Sequence, residues 1–412
     1  MDSQDQNKSK SPELLAPVGD YEMLRAAIQA GCNAVYFGIE GLNMRARARN
    51  FKLKELKNVV DICHQNQVKA YLTVNTIIFE NELSEVEKIL TRAKSVKIDA
   101  IICWDLAVVQ RAREIGLPIH LSTQASAANS EAVRLYQKLG ITRIVLAREC
   151  SLKQIARIKS KTDAEIEVFV HGAMCVSQSG RCFMSQFLTN KSANRGECLQ
   201  PCRRQYRVID MDTGMELALS NHYVMSPKDL CTIEIIDQLI EANIDGFKIE
   251  GRARSPEYVK TVVSCYREAI DRYYDAQLTD AIKKKLKAKL STVFNRGFST
   301  GFYLHAPLNE WTDTEGSKAT TRKEFVGLVH NYYKKPQVAD VLIQSASLQM
   351  GDCVVFIGPT SGVVEVKINS MQIYGSPVHS AQKGQHVGIK TGQLVRRNDQ
   401  VYKIIFDSSN IK

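Results

Sequence analysis

The sequence predicts an α/β protein: a (β/α)8 TIM-like barrel with a cysteine-rich insertion after strand seven, followed by a small C-terminal all-β barrel domain. Three observations carry this. Eight short apolar runs alternate with helix-length amphipathic segments. Those runs are apolar at nearly every position, as strands buried on both faces are. From Glu324 onward the alternation gives way to short strands separated by turns. A doubly wound open sheet shares the alternation, but the count of eight and the lack of a Gly-rich phosphate turn after the first run favour the closed barrel.

The elements follow in order. Residues 1–12, MDSQDQNKSKSP, are polar and lack the apolar core of an export signal, which predicts a disordered tail on a cytoplasmic protein. The barrel domain runs over 13–310. ELLAPV from Glu13 is its first strand, and YEMLRAAIQAG behind it spaces apolar side chains as one helix face requires. AVYFG from Ala34, KAYLTV from Lys69, AIICWD from Ala100, PIHLST from Pro118 and RIVLA from Arg143 repeat the unit, with LKELKNVVDICHQN and NSEAVRLYQKLG among the helices. IEVFV from Ile166 is the seventh strand and GFKIEG from Gly246 the eighth. The stretch between them, 171–245, is far longer than the other intervals and forms the insertion. SPEYVKTVVSCYREAIDRYYD and the basic DAIKKKLKAKLSTVF follow as helices. Residues 311–323 read as a linker, and 324–412 as the small β-barrel, with strands such as EFVGLVHNYY, GDCVVFIGP and VYKIIF.

At 412 residues the chain exceeds what one core usually supports, in keeping with two domains. No apolar run approaches the ~20 residues a membrane-spanning helix needs, which argues against membrane insertion. Lysine plus arginine outnumber aspartate plus glutamate by 55 to 44, a formal charge of +11. Such an excess suits polyanions, nucleic acid first, although solubility alone accounts for it equally well. Eleven cysteines without an export signal point to reduced thiols, so a metal or redox site takes precedence over a disulfide framework.

Four of those cysteines fall in the insertion: Cys175, Cys182, Cys198 and Cys202, separated by six, fifteen and three residues. Cys32, Cys63 and Cys265, by contrast, sit singly among apolar neighbours, as core cysteines do. Zinc knuckles place paired cysteines two to four residues apart, a spacing met only by Cys198 with Cys202. Iron–sulfur clusters accept wider spacings on four cysteines, and that reading is preferred, with zinc as the alternative. Gly172 and Gly180 are expected to let the backbone approach the cluster. In a barrel of this kind the loops after the strands form the catalytic face, which directs attention to Arg45, Arg47, Asn75, Gln124, Arg148, His171, Glu250 and Arg252.

Glu167, Phe169, Gly172, Ala173, Cys175, Gly180, Cys182 and Ser185 reproduce a signature that closely resembles that of the collagenase-like peptidase family U32. LLAPVGDYEMLRAAIQAGCNAVYFG, STQASAANSEAV, FKIEGRARSPEYV and FNRGFSTGF are similar to that family too, so the resemblance extends from about Glu13 to the β-domain. The two-domain layout resembles members that form 5-hydroxyuridine at the tRNA wobble position. The resemblance implies a prephenate-dependent tRNA hydroxylase containing a [4Fe-4S] cluster, with Cys175, Cys182 and Cys198 as ligands. Cys202 is assigned as the fourth by proximity, and Cys231 is held in reserve. Peptidase activity is the alternative, and a zinc-stabilised RNA-binding module a third reading. No HExxH helix or G-x-S-x-G elbow occurs. A thiol-protease pair of His171 with Cys175 is incompatible with Cys175 as a cluster ligand.

Prephenate is a small dicarboxylate, and arginine suits carboxylates through its planar fork. Arg45, Arg47, Arg148 and Arg252 are the candidates. Glu250 is assigned to orient Arg252 or act as an acid–base group, and His171 to donate a proton or cap a helix. Gln124 and Asn75 are placed to read polar substrate groups. For RNA, Arg203, Arg204 and the lysines 283–285 are candidate phosphate contacts, against the simpler reading of a solvated helix face. The β-domain is assigned to RNA docking.

Overall fold

The computed structural model describes residues 11–217 and 222–406, and in it eight parallel strands close into a barrel. Residues 1–10 of the expected tail lie outside the described residues, and Pro12 is already buried. The strands are β1 (Glu13–Pro17), β2 (Ala34–Gly38), β3 (Lys69–Thr73), β4 (Ala100–Cys103), β5 (Ile119–Leu121), β6 (Arg143–Val145), β7 (Glu165–Gly172) and, after a short extra strand, β9 (Gly246–Ile249). Each pairs with its sequence neighbour, and β9 closes the ring by pairing with both β1 and β7. The extra strand, β8 (Asp229–Cys231), runs antiparallel to the end of β7, with His171 opposite Cys231. Three residues are too few to give a periodicity signal, so this strand escaped the sequence reading.

Helices between the strands start where the sequence offers caps. Asp20 accepts from Met23 N at 2.8 Å to open α1 (Tyr21–Gln29). Asp105 and Asn129 do the same for the helices at Leu106–Glu114 and Ser130–Lys138. Pro256 supplies the first residue of the long helix Pro256–Tyr274, where its missing N–H costs nothing. These helices pack on the strands' outward side chains to form the main core.

Inside the barrel the filling is partly ionic. Leu15, Ala34, Tyr36, Tyr71, Ala100 and Ile102 form a small apolar group. Beside it, the buried Arg143 pairs with Glu13, with Glu165 at 2.7 Å and with Glu167 at 3.4 Å, while Glu167 also accepts from Lys248 Nζ at 2.8 Å. Charges taken this far out of water are tolerated only when paired, and here the pairing runs up the barrel axis to the catalytic face. Gly246 lies opposite both Glu13 and Glu167, and a Cβ there would come within 3.2 Å of the Glu167 side chain.

The C-terminal region begins with the long strand Thr321–Tyr333, inside the stretch read as a linker. An eight-stranded antiparallel sheet wraps a core that includes Val326, Val341, Phe356, Ile389 and Val401. It is fixed to the barrel exterior. Gln29 of α1 donates to Ser361 O at 2.7 Å and accepts from Val363 N at 3.1 Å, and Lys260 donates to Val363 O at 2.8 Å. Ala26, Val355, Ile357 and Val363 make the apolar part of the contact.

Candidate active site

The strand-end loops enclose a cavity of about 530 Å³, and the segment between β7 and β8 folds over it. Cys175, Cys182, Cys198 and Cys202 all line that cavity. Cys231 does not: it is buried in β8, with its sulfur 4.0 Å from the Tyr266 hydroxyl. The two halves of the cysteine set are fastened together by Ser185. This residue sits in the short helix Met184–Thr189 directly after Cys182, and its Oγ accepts from Leu199 N at 3.0 Å. Met184 N donates to Cys182 Sγ and Gln200 N to Cys198 Sγ, each at 3.3 Å. Burial pushes the Cys198 and Cys202 thiols up, and the neighbouring sulfurs add to this: Cys175 and Cys182 act on both. Four thiols in one cavity wall, two of them already accepting backbone N–H groups, are a donor set suited to a cationic metal centre.

Two glycines shape this wall. Gly196 has φ +81° and a Cβ there would lie 2.3 Å from Asn43 O, so the Cys198 turn seats directly on the loop after β2. Gly172 has φ +108°, and a Cβ would lie 2.3 Å from Glu250 O. The sequence reading gave Gly172 to cluster approach, whereas here it lets β7 close against the end of β9. Gly180 does line the cavity.

A cationic wall lines the same cavity. Arg45 donates through Nε at 3.1 Å and Nη2 at 2.9 Å to one oxygen of Glu250. Burial works to raise the Glu250 carboxyl, but Arg45, Arg148 and Arg252 outweigh it and hold it at about 2, so it is ionised at neutral pH. Arg252 is buried, donates to Thr73 Oγ1 at 2.8 Å and to Asn43 Oδ1 at 3.2 Å, and is lowered to about 10, chiefly by burial. Its Nε has no partner. Arg148 lies 4.0 Å over the Phe169 ring and donates to Ala173 O at 2.7 Å. Arg47 lines the cavity, is exposed and makes no ion pair among the described residues. Gln124 lines the cavity as well and accepts from Ser122 Oγ, while Asn75 accepts from Met44 N at 3.1 Å. Glu149 and Glu250 are the carboxylates of this lining, against seven arginines and Lys248, so the cavity favours an anion.

The structure does not bring His171 to the cavity. Its ring is buried behind the wall among Tyr258, Tyr266 and Phe298, with Nδ1 3.4 Å from the Tyr266 hydroxyl. Burial, with Arg254 nearby, lowers it to about 3, which keeps it neutral. The strand end that the sequence reading counted as facing the site carries an irregularity between Phe169 and His171, and this turns the imidazole outward. Arg203 is also committed, donating to Ser226 Oγ at 3.0 Å, Pro227 O at 2.7 Å and Met174 O. Arg204 is exposed. Lys283 is buried and paired with Asp237 at 2.6 Å, which leaves Lys284 and Lys285 as the exposed members of that run.

Three features had no role assigned from the sequence, although Asn43 and Lys248 lie among the strand-end residues it points to. Lys248 lies 4.5 Å over the Tyr36 ring, and burial lowers its ammonium. A lysine inside an otherwise apolar strand run, GFKIEG, was the available signal. Asn43, fully buried, accepts from the Arg45 backbone N–H at 2.9 Å and from the Arg252 guanidinium, and so ties the loop after β2 to Arg252. Phe183 and Phe187 stand beside Cys182 with ring centroids 5.7 Å apart, and Phe187 is 84% exposed. Their four-residue spacing in CFMSQF was visible, but nothing in it reveals exposure.

The peptidase family U32 model matches residues 19–313. A collagenase of Porphyromonas gingivalis is 44% identical over 403 residues, covering 95% of this chain and 97% of that protein. tRNA hydroxylation protein P1 of Bacillus subtilis is 38% identical over 358 residues, covering 85% and 84%. The 23S rRNA 5-hydroxycytidine C2501 synthase of Escherichia coli is 38% identical over 262 residues, covering 63% of this chain and 39% of that one. The motif residues gathered around the cavity and the match across most of the barrel place this chain in peptidase family U32.

Proposed function

We propose that the chain is an iron–sulfur-dependent RNA hydroxylase that forms 5-hydroxyuridine at the wobble position of tRNA, with prephenate as co-substrate. The observation that carries this reading is the sharing of one cavity by four thiols and a cluster of arginines. Relatives named for tRNA and rRNA hydroxylation support it. Cys175, Cys182, Cys198 and Cys202 would hold the [4Fe-4S] cluster, which supplies one-electron or Lewis-acid chemistry when bound.

The chain's own residues set the stage. Arg47, Arg148 and Arg252 offer forks for two carboxylates, and Lys248 adds a buried cation beneath them. Glu250, ionised, occupies Arg45 and fixes its direction. Gln124, Ser122 and Asn75 form a polar edge able to pair with a base. Phe183 and Phe187 offer exposed faces for stacking unpaired nucleotides at the rim, with Arg204, Lys284 and Lys285 as further cations on the surface. The thiol-protease form of the peptidase alternative lacks its imidazole, because His171 faces Tyr266.

The test is anaerobic purification with iron and sulfide analysis. The reading expects a brown protein with four irons, lost in Cys182→Ala and Cys202→Ala and kept in Cys231→Ala. A colourless protein holding zinc on these cysteines would remove the hydroxylase proposal.

A further inference from the structure

The C-terminal sheet carries a second cluster of metal-ligating side chains, remote in sequence from the cysteines. His330 lies on β11 (Thr321–Tyr333), Asp340 on β12 (Val338–Ile343) and His386 on β19 (His386–Lys390), three neighbouring strands in the order β11, β12, β19. We propose that His330, Asp340 and His386 form a binding site for a divalent transition-metal ion of the zinc class on the outer face of this sheet.

Register explains how the three meet. Asp340 pairs with Gly388 and Leu342 with His386, so Asp340 and His386 are diagonal neighbours on one face, with no side chain at position 388 to crowd them. On the other side Val329 pairs with Val341 and Asn331 with Asp340, which leaves His330 as the extra residue of a bulge. Regular pairing continued from Val329 and Val341 would set residue 330 opposite Asp340, and the bulge gives that pairing to Asn331 while leaving His330 beside it. The bulge carries His330 and Asn331 on the same outward side and aims the imidazole at the carboxylate. His330 Nδ1 is 3.3 Å from one Asp340 oxygen and His386 Nδ1 is 3.0 Å from the other, with the two rings edge to face at 5.0 Å.

The spacing matches a metal ion. With ligand bonds of about 2.1 Å, tetrahedral donors lie about 3.4 Å apart. Both His–Asp separations already fall near that value, and all three donor atoms lie within 4.8 Å of one another. Two imidazoles and one carboxylate select zinc, cobalt or nickel over calcium or magnesium, which prefer all-oxygen shells. Three protein ligands at a surface leave the fourth position to water. Without metal, the same geometry reads as two imidazoles donating to one carboxylate, and the experiment must separate these readings.

Full-length protein is stripped with chelator, dialysed against limiting zinc and analysed for zinc and iron together, alongside Asp340→Asn and His386→Gln. Whatever the cysteines hold is common to all three proteins. The proposal expects wild type to carry one more zinc per chain than either variant, with equal iron. It also expects cobalt to give wild type a visible spectrum component that has no thiolate charge-transfer band and is absent from the variants. Equal zinc in all three proteins overturns the site. Asp340→Asn preserves shape and keeps one of the two acceptor oxygens, so it decides the matter even where His386→Gln fails to fold.

Discussion

Replacing Glu250 by glutamine tests the electrostatics of the cationic wall. The carboxyl titrates at about 2 against an ordinary 4.5, because Arg45, Arg148 and Arg252 overcome its burial. At about 1.4 kcal/mol for each pH unit, this is about 3 kcal/mol of stabilisation at neutral pH. Gln keeps an acceptor for Arg45, and the Arg45 side chain is 38% exposed, so water recovers part of the loss. About 2 kcal/mol of destabilisation remains. The folded value lies below the unfolded one, so the stabilisation is complete above pH 4.5 and is lost as pH falls toward 2. The wild-type advantage therefore narrows by about 1 kcal/mol between pH 7 and pH 4. Urea unfolding of both proteins at the two pH values measures this. The variant also removes the one negative charge that Arg45 pairs with, so a small dicarboxylate should bind it more tightly than wild type in calorimetry. Equal stability at pH 7, or a gap that does not change with pH, would refute the argument.

Gly172→Ala combines a left-handed φ with a Cβ 2.3 Å from Glu250 O. It should lower the unfolding free energy by about 1–3 kcal/mol and reduce turnover by displacing Glu250, readable from denaturant melts and kinetics. Lys248→Met strands Glu167, which is fully buried, with Arg143 at 3.4 Å as its remaining cation. A loss of about 3–5 kcal/mol is expected, much of it recovered when Glu167→Gln is added, as chemical denaturation of the double-mutant set will show. Phe187→Ala removes an exposed ring, so stability should hold within about 0.5 kcal/mol. Its affinity for an anticodon stem-loop should fall about tenfold in a filter-binding assay.

Much of this architecture was legible because each signal was local or periodic. The barrel strands read as near-continuous apolar runs, and the charges inside two of them, Glu167 in IEVFV and Lys248 in GFKIEG, turned out to belong to the buried ion-pair ladder. The four cysteines stood out by their confinement to one insertion, and the cavity gathers them. What escaped was whatever depends on side-chain direction at a backbone irregularity. His171 turns away at the β7 irregularity, and His330 stands beside Asp340 as the extra residue of another. Neither bulge has a residue pattern that marks it. The lysine run was also only half legible: Lys283 reaches back to Asp237, a partner 46 positions away that no helix periodicity reveals.

Mass spectrometry of tRNA nucleosides tests the central claim most directly. The cells compared lack this protein and any paralogue, and are complemented with wild type or with Cys182→Ala. The account predicts that wobble 5-hydroxyuridine disappears in the deletion strain, returns with wild type and stays absent with the cysteine variant. An unchanged level in the deletion strain, or full restoration by Cys182→Ala, would contradict it.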